Sequence, residues 1–170
     1  MQSSSVEFQD IPYQQTSILK PFFHVVLPIA APGVNQSYMP ALDSEGHMTL
    51  VHTPAAKQFL KDTGWLLRDQ SNILAFDTTL FDAISASREK VPLDVTFKFH
   101  MKSFWARDID GPVKITLDAL FAHFTSLAPY DQTSNWNDNR PTVLHIYKDV
   151  LPSKTVSIEI EVRCCVASGK

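Results

Sequence analysis

One stretch of the chain, from Pro112 to Phe124, carries its apolar residues along a single helical stripe, and this constrains the fold more than any other feature. The stripe consists of Val113, Leu117, Leu120, Phe121 and Phe124, which recur at the spacing of one helix face. Pro112 suits the first turn of a helix, where its missing N–H is not needed. Because an amphipathic helix must bury its stripe against another element, the sequence predicts a helix packed on a sheet.

The segments on both sides of this helix carry strand signals. Residues 22–29 and 91–101 are rich in β-branched and aromatic residues, and the second segment alternates between apolar and polar positions. Residues 142–147 and 155–162 are predicted to form two more strands. The connection between these two is short and contains Pro152, so we expect them to pair as an antiparallel hairpin.

Two earlier helices are predicted from their start signals. Thr53 suits an N-cap and Pro54 the first helical position, and apolar residues follow at helical spacing to about residue 68. A shorter helix is expected after Asp77, whereas residues 38–51 contain proline and glycine and are predicted to be irregular. The resulting order β-α-α-β-α-β-β predicts an α/β (α+β) fold, a single domain in which helices pack on a mixed β-sheet.

The length of 170 residues fits one domain, which we expect to span residues 21–170 after a polar N-terminal lead-in at 1–20. No apolar run reaches the length of a membrane span or of a signal-peptide core, so we expect a cytoplasmic protein without membrane contact. Cys164 and Cys165 are adjacent and cannot build a disulfide framework, which predicts two reduced thiols at a strand end.

The charge distribution concentrates positive charge around two acids. The net charge of −3 is unfavourable for a nucleic-acid-binding protein, because neutralising phosphates requires lysine and arginine. Residues 98–114, however, hold four basic side chains and only two acids, Asp108 and Asp110, which gives a local charge of +2. Local charge matters more than the total for binding an anionic ligand.

Asp108 and Asp110 are the candidate cation ligands. In an extended segment, side chains two residues apart point the same way. Two carboxylates about 4 Å apart repel each other by roughly 4 kcal/mol at an effective dielectric of 20, and a bound Mg²⁺ would relieve that repulsion. Alternatively, Asp110 is only an N-cap of the following helix. Lys114 and Asp118 lie four residues apart along the edge of that helix, either near this site or as a surface ion pair.

Further candidates lie on either side of this segment. Asp138 precedes the strand predicted at 142–147; it is a turn residue by default, but it could approach the 102–111 loop if the two strands are neighbours. Trp105 lies beside the acids and is a candidate for stacking on an exposed base, whereas Trp65 and Trp136 are predicted to be packing residues. The six histidines show no metal-ligand spacing.

The pattern R-D-x-D-x-x-x-K-x-x-x-D-A-L resembles the signature of the RusA-type Holliday junction resolvases, a family of endodeoxyribonucleases. Its residues here are Arg107, Asp108, Asp110, Lys114 and Asp118-Ala119-Leu120. Further similarities run in the same order from about residue 22 to residue 163. They are Leu27-Pro28 through Pro32-Gly33-Val34-Asn35, Thr53-Pro54-Ala55-Ala56-Lys57, and Asn137-Asp138 before a strand that ends at Lys148.

The resemblance implies a Mg²⁺-dependent endonuclease, with Mn²⁺ as a substitute, that cleaves branched DNA such as a four-way junction during recombination and repair. It also implies a symmetric homodimer and a bacterial cytoplasmic or phage-encoded setting. The implied metal ligands are Asp108, Asp110 and Asp138, which act in catalysis with Lys114, and Asp118 supports them. The implied DNA contacts are Lys102, Arg107, Asn35 and Lys57.

Three departures from the family pattern leave other functions open. Gly111 stands where the family has an asparagine, and Asn137 replaces the first acid of the later pair. The arginine cluster that the family has before the motif is reduced to Lys102 and Arg107. One alternative is therefore a DNA-junction-binding protein with weak or no catalysis. The other is a protein-interaction domain in which the acids are helix caps and surface groups.

Overall fold

The computed structural model describes residues 20–87, 91–102, 111–137, 139, 141–150 and 155–164. Its strands are β1 (Phe23–Leu27), β2 (Tyr38–Leu42), β3 (Met48–His52), β4 (Ile73–Phe76), β5 (Leu93–Met101), β6 (Pro141–Val150) and β7 (Ser157–Cys164). Its helices are α1 (Val34–Ser37), α2 (Pro54–Leu66), α3 (Thr78–Ala86) and α4 (Gly111–Leu127). Short 3-10 helices cover Gln70–Asn72 and Tyr130–Asn135. The predicted α+β class with a mixed sheet is confirmed, and every predicted helix and strand is present.

The main sheet has five strands in the order β4-β1-β7-β5-β6. All neighbours in it are antiparallel except β5 and β6, which are parallel. The predicted hairpin of the last two strands is therefore wrong, because β5 lies between β6 and β7. The helix α4 connects β5 to β6 as a crossover, which is how a parallel neighbour is reached, and β7 then pairs on the other side of β5.

Residues 38–51, predicted to be irregular, instead form a separate two-stranded sheet of β2 and β3. Pro40 is tolerated because an isolated hairpin has two open edges, where a missing N–H breaks no ladder. Asp43 shapes the turn, since its carboxylate accepts hydrogen bonds from the backbone N–H groups of Glu45 and His47, both at 2.9 Å. Gly46 has a φ of 83°, a conformation that favours glycine.

The helix starts follow the predicted capping residues. The Thr53 hydroxyl accepts a hydrogen bond from the N–H of Ala56 at 3.1 Å, and Pro54 is the first residue of α2. Asp77 caps α3 in the same way through the N–H of Leu80 at 2.9 Å. Each cap satisfies an N–H that the helix itself leaves unpaired.

The hydrophobic core forms between the helices and one face of the main sheet. On β5 the odd-numbered residues 93–101 are buried in it, and the stripe of α4 packs there as predicted. Trp136 stacks on Phe81 with ring centroids 4.5 Å apart and donates its indole N–H to the Ser85 hydroxyl at 2.7 Å. The prediction that Trp136 is a packing residue is confirmed. The same prediction for Trp65 is wrong, because 64% of that residue is exposed.

Within the described residues, none of the helices is both long enough and apolar enough to span a lipid bilayer.

Candidate functional site

The unit β5-α4-β6 positions the segment that carries the predicted acids. Residues 103–110 connect the end of β5 to the start of α4, so Arg107, Asp108, Asp110 and Trp105 lie outside the described residues. Both ends of the segment are described. Lys102 and Pro112 line the same cavity of about 260 Å³, together with His100, Met101 and Ile158. The described residues on either side of the acid-bearing segment thus lie close together at the carboxyl end of β5.

Lys114 and Asp118 lie on the first turns of α4, directly after that segment. The ammonium of Lys114 donates a hydrogen bond to Oδ1 of Asp118 at 2.6 Å. The Lys114 side chain is 57% exposed and the Asp118 side chain 24% exposed. The pair therefore has the geometry of a solvated i, i+4 ion pair, with the ammonium accessible to a phosphate that approaches the start of α4.

The other residues expected to contact DNA are distributed over three elements. Lys102 follows β5 and Lys57 lies on α2, and both are exposed. Asn35 belongs to α1, and its side chain is not among those that the structure describes. Among these, only Lys102 is placed next to the acid-bearing segment by a shared cavity.

Asp138 also lies outside the described residues, but the strand pairing locates its neighbourhood. Pro141, three residues further on, pairs with Leu93 at the start of β5, whereas Met101 at the end of β5 pairs with Val150. Nine residues of extended chain span about 26 Å from the first to the last Cα. The described neighbours of Asp138 and of Asp110 are therefore at opposite ends of β5.

The face of the main sheet opposite the core carries a cluster of charged side chains. Nε2 of His24 on β1 lies 3.0 Å from Glu159 and 3.7 Å from Glu161, both on β7. On the next strand, the Lys98 ammonium lies 3.0 and 3.5 Å from the same two carboxylates. His100 extends the cluster to Asp149 on β6 at 3.1 Å. Basic and acidic side chains thus alternate across β1, β7, β5 and β6.

Sequence reasoning missed this cluster because its members come from four strands. The available signal was the i, i+2 spacing of Lys98 with His100 and of Glu159 with Glu161, which places each pair on one face of its strand. The order of the strands, which joins the pairs, cannot be read from that spacing.

The cluster shifts the acidity of its own members. Burial alone would raise the pKa of Glu159, but hydrogen bonds from Lys98 and His24 outweigh it and hold that pKa below its usual value. Burial would lower the pKa of Lys98, and the contacts with Glu159 and Glu161 outweigh it and leave that pKa raised. Both groups are therefore charged at neutral pH.

His24, Glu159 and Glu161 offer three ligand atoms close enough together to hold a metal ion, and they are the one such group in the described part of the chain. A histidine nitrogen with two carboxylates suits a divalent transition metal. The Lys98 ammonium, however, already contacts both carboxylates and supplies the positive charge that they need. The cluster is therefore an ion network in which the Lys98 ammonium is the cation.

A groove of about 500 Å³ runs between α2 and α4 on the other side of the molecule. Its lining includes Lys61, Trp65 and Arg68 from α2 and its C-terminal end, and Asp118 and His123 from α4. His123 is buried, and its Nδ1 has no hydrogen-bond partner among the described residues. Burial, assisted by the positive charge of Arg68, lowers the pKa of His123 to about 4. The imidazole is therefore neutral at physiological pH.

A scan against models of known protein families and a comparison with curated proteins both find no match for this chain.

Proposed function

We propose that this protein is a Mg²⁺-dependent endonuclease that cleaves branched DNA in the manner of the RusA-type resolvases. The observation that supports this most is the placement of the segment Arg107-Asp108-Ile109-Asp110 between parallel strand β5 and helix α4. In open α/β sheets, ligands bind in the crevice outside the carboxyl ends of parallel strands. In the chain, the motif that resembles a nuclease signature follows the carboxyl end of β5, the first strand of the one parallel pair in the described sheet.

The chemistry of the donor set fits the proposed metal. Asp108 and Asp110 supply hard carboxylate oxygens, and Mg²⁺ is commonly held by one or two carboxylates together with substrate phosphate and water. A Mg²⁺ ion bound there would polarise the scissile phosphate and lower the pKa of a bound water. Asp138 is the third ligand in the family pattern, and its role needs a separate test because its neighbours lie at the far end of β5.

Lys114 would stabilise the charge that develops on the phosphoryl oxygens. Its ammonium is exposed on the first turn of α4 and is oriented by the 2.6 Å contact with Asp118. A preorganised cation of this kind stabilises the transition state more than the ground state, because the negative charge grows during the reaction. Asp118 is then a positioning residue that holds the lysine ammonium in place.

The test is cleavage of a synthetic four-way junction with and without Mg²⁺. We expect paired nicks that require Mg²⁺ in the wild type and background cleavage only in Asp110→Asn. Lys114→Ala should lower the single-turnover rate by about 10²–10³-fold, the usual effect of removing one transition-state donor. Asp82→Asn, an exposed acid on α3, is the matched control and should cleave like the wild type.

Two outcomes of the same assay would replace the proposal. If the wild type binds the junction in a salt-sensitive way and never nicks it, the protein is a junction-binding protein, as Gly111 and Asn137 would allow. If it does not bind the junction even at low salt, the DNA-based functions fail and a protein-interaction role remains. Asp138→Asn with wild-type cleavage would remove that residue from the metal site and leave the other assignments intact.

A further inference from the structure

Apart from Asp118, the groove between α2 and α4 is lined by residues that the proposed cleavage chemistry does not use. Trp65 is 64% exposed and forms part of one wall of the groove, and Lys61 and Arg68 lie on the same side. Exposed tryptophan is unusual on a surface that has no partner, because it leaves a large apolar ring in water. The groove volume of about 500 Å³ is within the range of pockets that hold a small organic group.

The charge of the groove is suited to a phosphate. Lys61 and Arg68 are both exposed and contribute two positive charges. Asp118 is the acid in the lining, and the Lys114 ammonium at 2.6 Å offsets its charge. The groove therefore carries a net positive charge close to an aromatic surface, although the chain as a whole has a net charge of −3.

His123 adds a polar group that lacks a partner. It lies on the α4 side, is 6% exposed, and its Nδ1 makes no hydrogen bond within the described residues. Because this atom is closed to solvent, a ligand in the groove does not reach it, and the proposed contacts are those of Trp65, Lys61 and Arg68. The opposite side of the groove bears Gly64, where a side chain would meet nothing within 4 Å, so the groove is open beside the indole.

We propose that this groove binds one nucleotide of a single-stranded DNA segment, with its base stacked on Trp65 and the flanking phosphates at Lys61 and Arg68. Stacking on an aromatic side chain beside a cationic track is how proteins hold unpaired bases without reading their sequence. Asp118 lines the groove and also holds Lys114, so the bound strand would lie one helical turn from the proposed catalytic lysine. The inference rests on the proposed function, because it adds an unpaired nucleotide near the branch point to the substrate that the protein holds.

The test is binding of fluorescein-labelled dT12 in EDTA, followed by fluorescence anisotropy, so that cleavage does not contribute. We expect Trp65→Ala to weaken binding by about 5- to 150-fold, and Trp65→Phe to recover most of the loss because it retains a ring. Tyr130→Ala is the matched control, because Tyr130 is 97% exposed and lies outside the groove. It should bind like the wild type.

The salt dependence separates the two parts of the proposed contact. Each phosphate of a single strand that a lysine or arginine neutralises releases counterions and contributes about 0.7 to the magnitude of the slope of log K against log salt. The double variant Lys61→Gln/Arg68→Gln should therefore lower the magnitude of the slope by about 1.4, whereas Trp65→Ala should leave the slope unchanged. Lys20→Gln, an exposed lysine on another part of the chain, is the charge control.

Three results would overturn the inference. They are undetectable binding of dT12 at low salt, wild-type affinity in both groove variants, and equal competition by millimolar free thymidine monophosphate, which would assign the groove to free nucleotides. None of these depends on metal or on the acids of residues 103–110. If Asp110→Asn loses Mg²⁺-dependent cleavage while the groove variants bind dT12 like the wild type, this inference is refuted and the proposed nuclease function stands.

Discussion

Acidification should destabilise the fold through His123. Its pKa in the folded state is lowered from 6.5 to about 4, first by burial and then by the positive charge of Arg68. Between these two pH values the His123 imidazole is mostly protonated in the unfolded chain and mostly neutral in the folded chain. The folded pKa is the lower one, so the stability contribution is fully present above pH 6.5 and is lost as the pH falls towards 4.

The size of the effect follows from the two pKa values. At pH 5 the unfolded histidine is almost fully protonated and the folded one almost fully neutral, which costs about 2 kcal/mol relative to pH 7. Protonation of the ring inside the folded protein is unfavourable, because its neighbours are apolar. Its ring centroid lies 6.3 Å from that of Phe23 and 6.2 Å from that of Phe124. A loss of 2 kcal/mol is a large share of the stability of an ordinary domain.

The assay is urea unfolding of wild type and His123→Gln at pH 7 and pH 5. The carboxylates titrate in both proteins, so their contribution cancels in the comparison. We expect the wild type to lose about 2 kcal/mol more than the variant between the two pH values. His47→Gln is the control, because that side chain is 72% exposed and should not change the difference. Equal losses in wild type and His123→Gln would refute the reasoning.

Three further changes test the packing and the ion network. Ser85→Ala leaves the buried indole N–H of Trp136 without its 2.7 Å acceptor and should cost about 1–3 kcal/mol in thermal or urea unfolding, so a cost near zero would contradict that hydrogen bond. Lys98→Met removes the cation from the sheet network, so we expect a loss of about 1–2 kcal/mol and a higher pKa for Glu159 by NMR titration; an unchanged pKa would contradict the assigned contact. Asp77→Ala removes the N-cap of α3 and should cost about 0.5–2 kcal/mol, whereas Asp77→Asn, which can still cap, should cost less.

The elements that sequence alone predicted correctly are those with a local cause. Thr53 and Asp77 cap their helices because a short polar side chain reaches the unpaired N–H groups next to it, which requires nothing from the rest of the fold. The stripe of α4 was equally readable, since the spacing of its apolar residues fixes which face is buried. These features explain why the fold class and the positions of the long helices were predictable.

The errors arose where distant segments decide the outcome. The short connection before β7 favoured a hairpin with β6, but β7 instead fills the space between β1 and β5, where Ile158, Ile160 and Val162 are almost fully buried. An edge position beside β6 would have left one side of this apolar strand unpaired. Trp65 was misjudged for a related reason, because its exposure depends on how α2 is set against α4.

The candidate site was predictable only as a set of residue types. The pattern around Asp108, Asp110 and Lys114 predicts a cation site beside a basic group. The structure places Lys114 on the first turn of α4, whereas Asp108 and Asp110 lie outside the described residues, so the cation site stays a prediction. The expected approach of Asp138 depended on the direction of β6 relative to β5. The parallel pairing places its neighbours at the start of β5, which no local pattern in the sequence reveals.

A count of bound Mn²⁺ by electron paramagnetic resonance would show whether the segment between β5 and α4 binds a divalent cation, as we propose. Mn²⁺ is paramagnetic and prefers the same oxygen ligands as Mg²⁺. We expect saturable Mn²⁺ binding in the wild type that is lost in Asp110→Asn and retained in Glu159→Gln, which alters the charged cluster on the main sheet. Retention in Asp110→Asn and loss in Glu159→Gln would place the cation at His24, Glu159 and Glu161 and contradict the account.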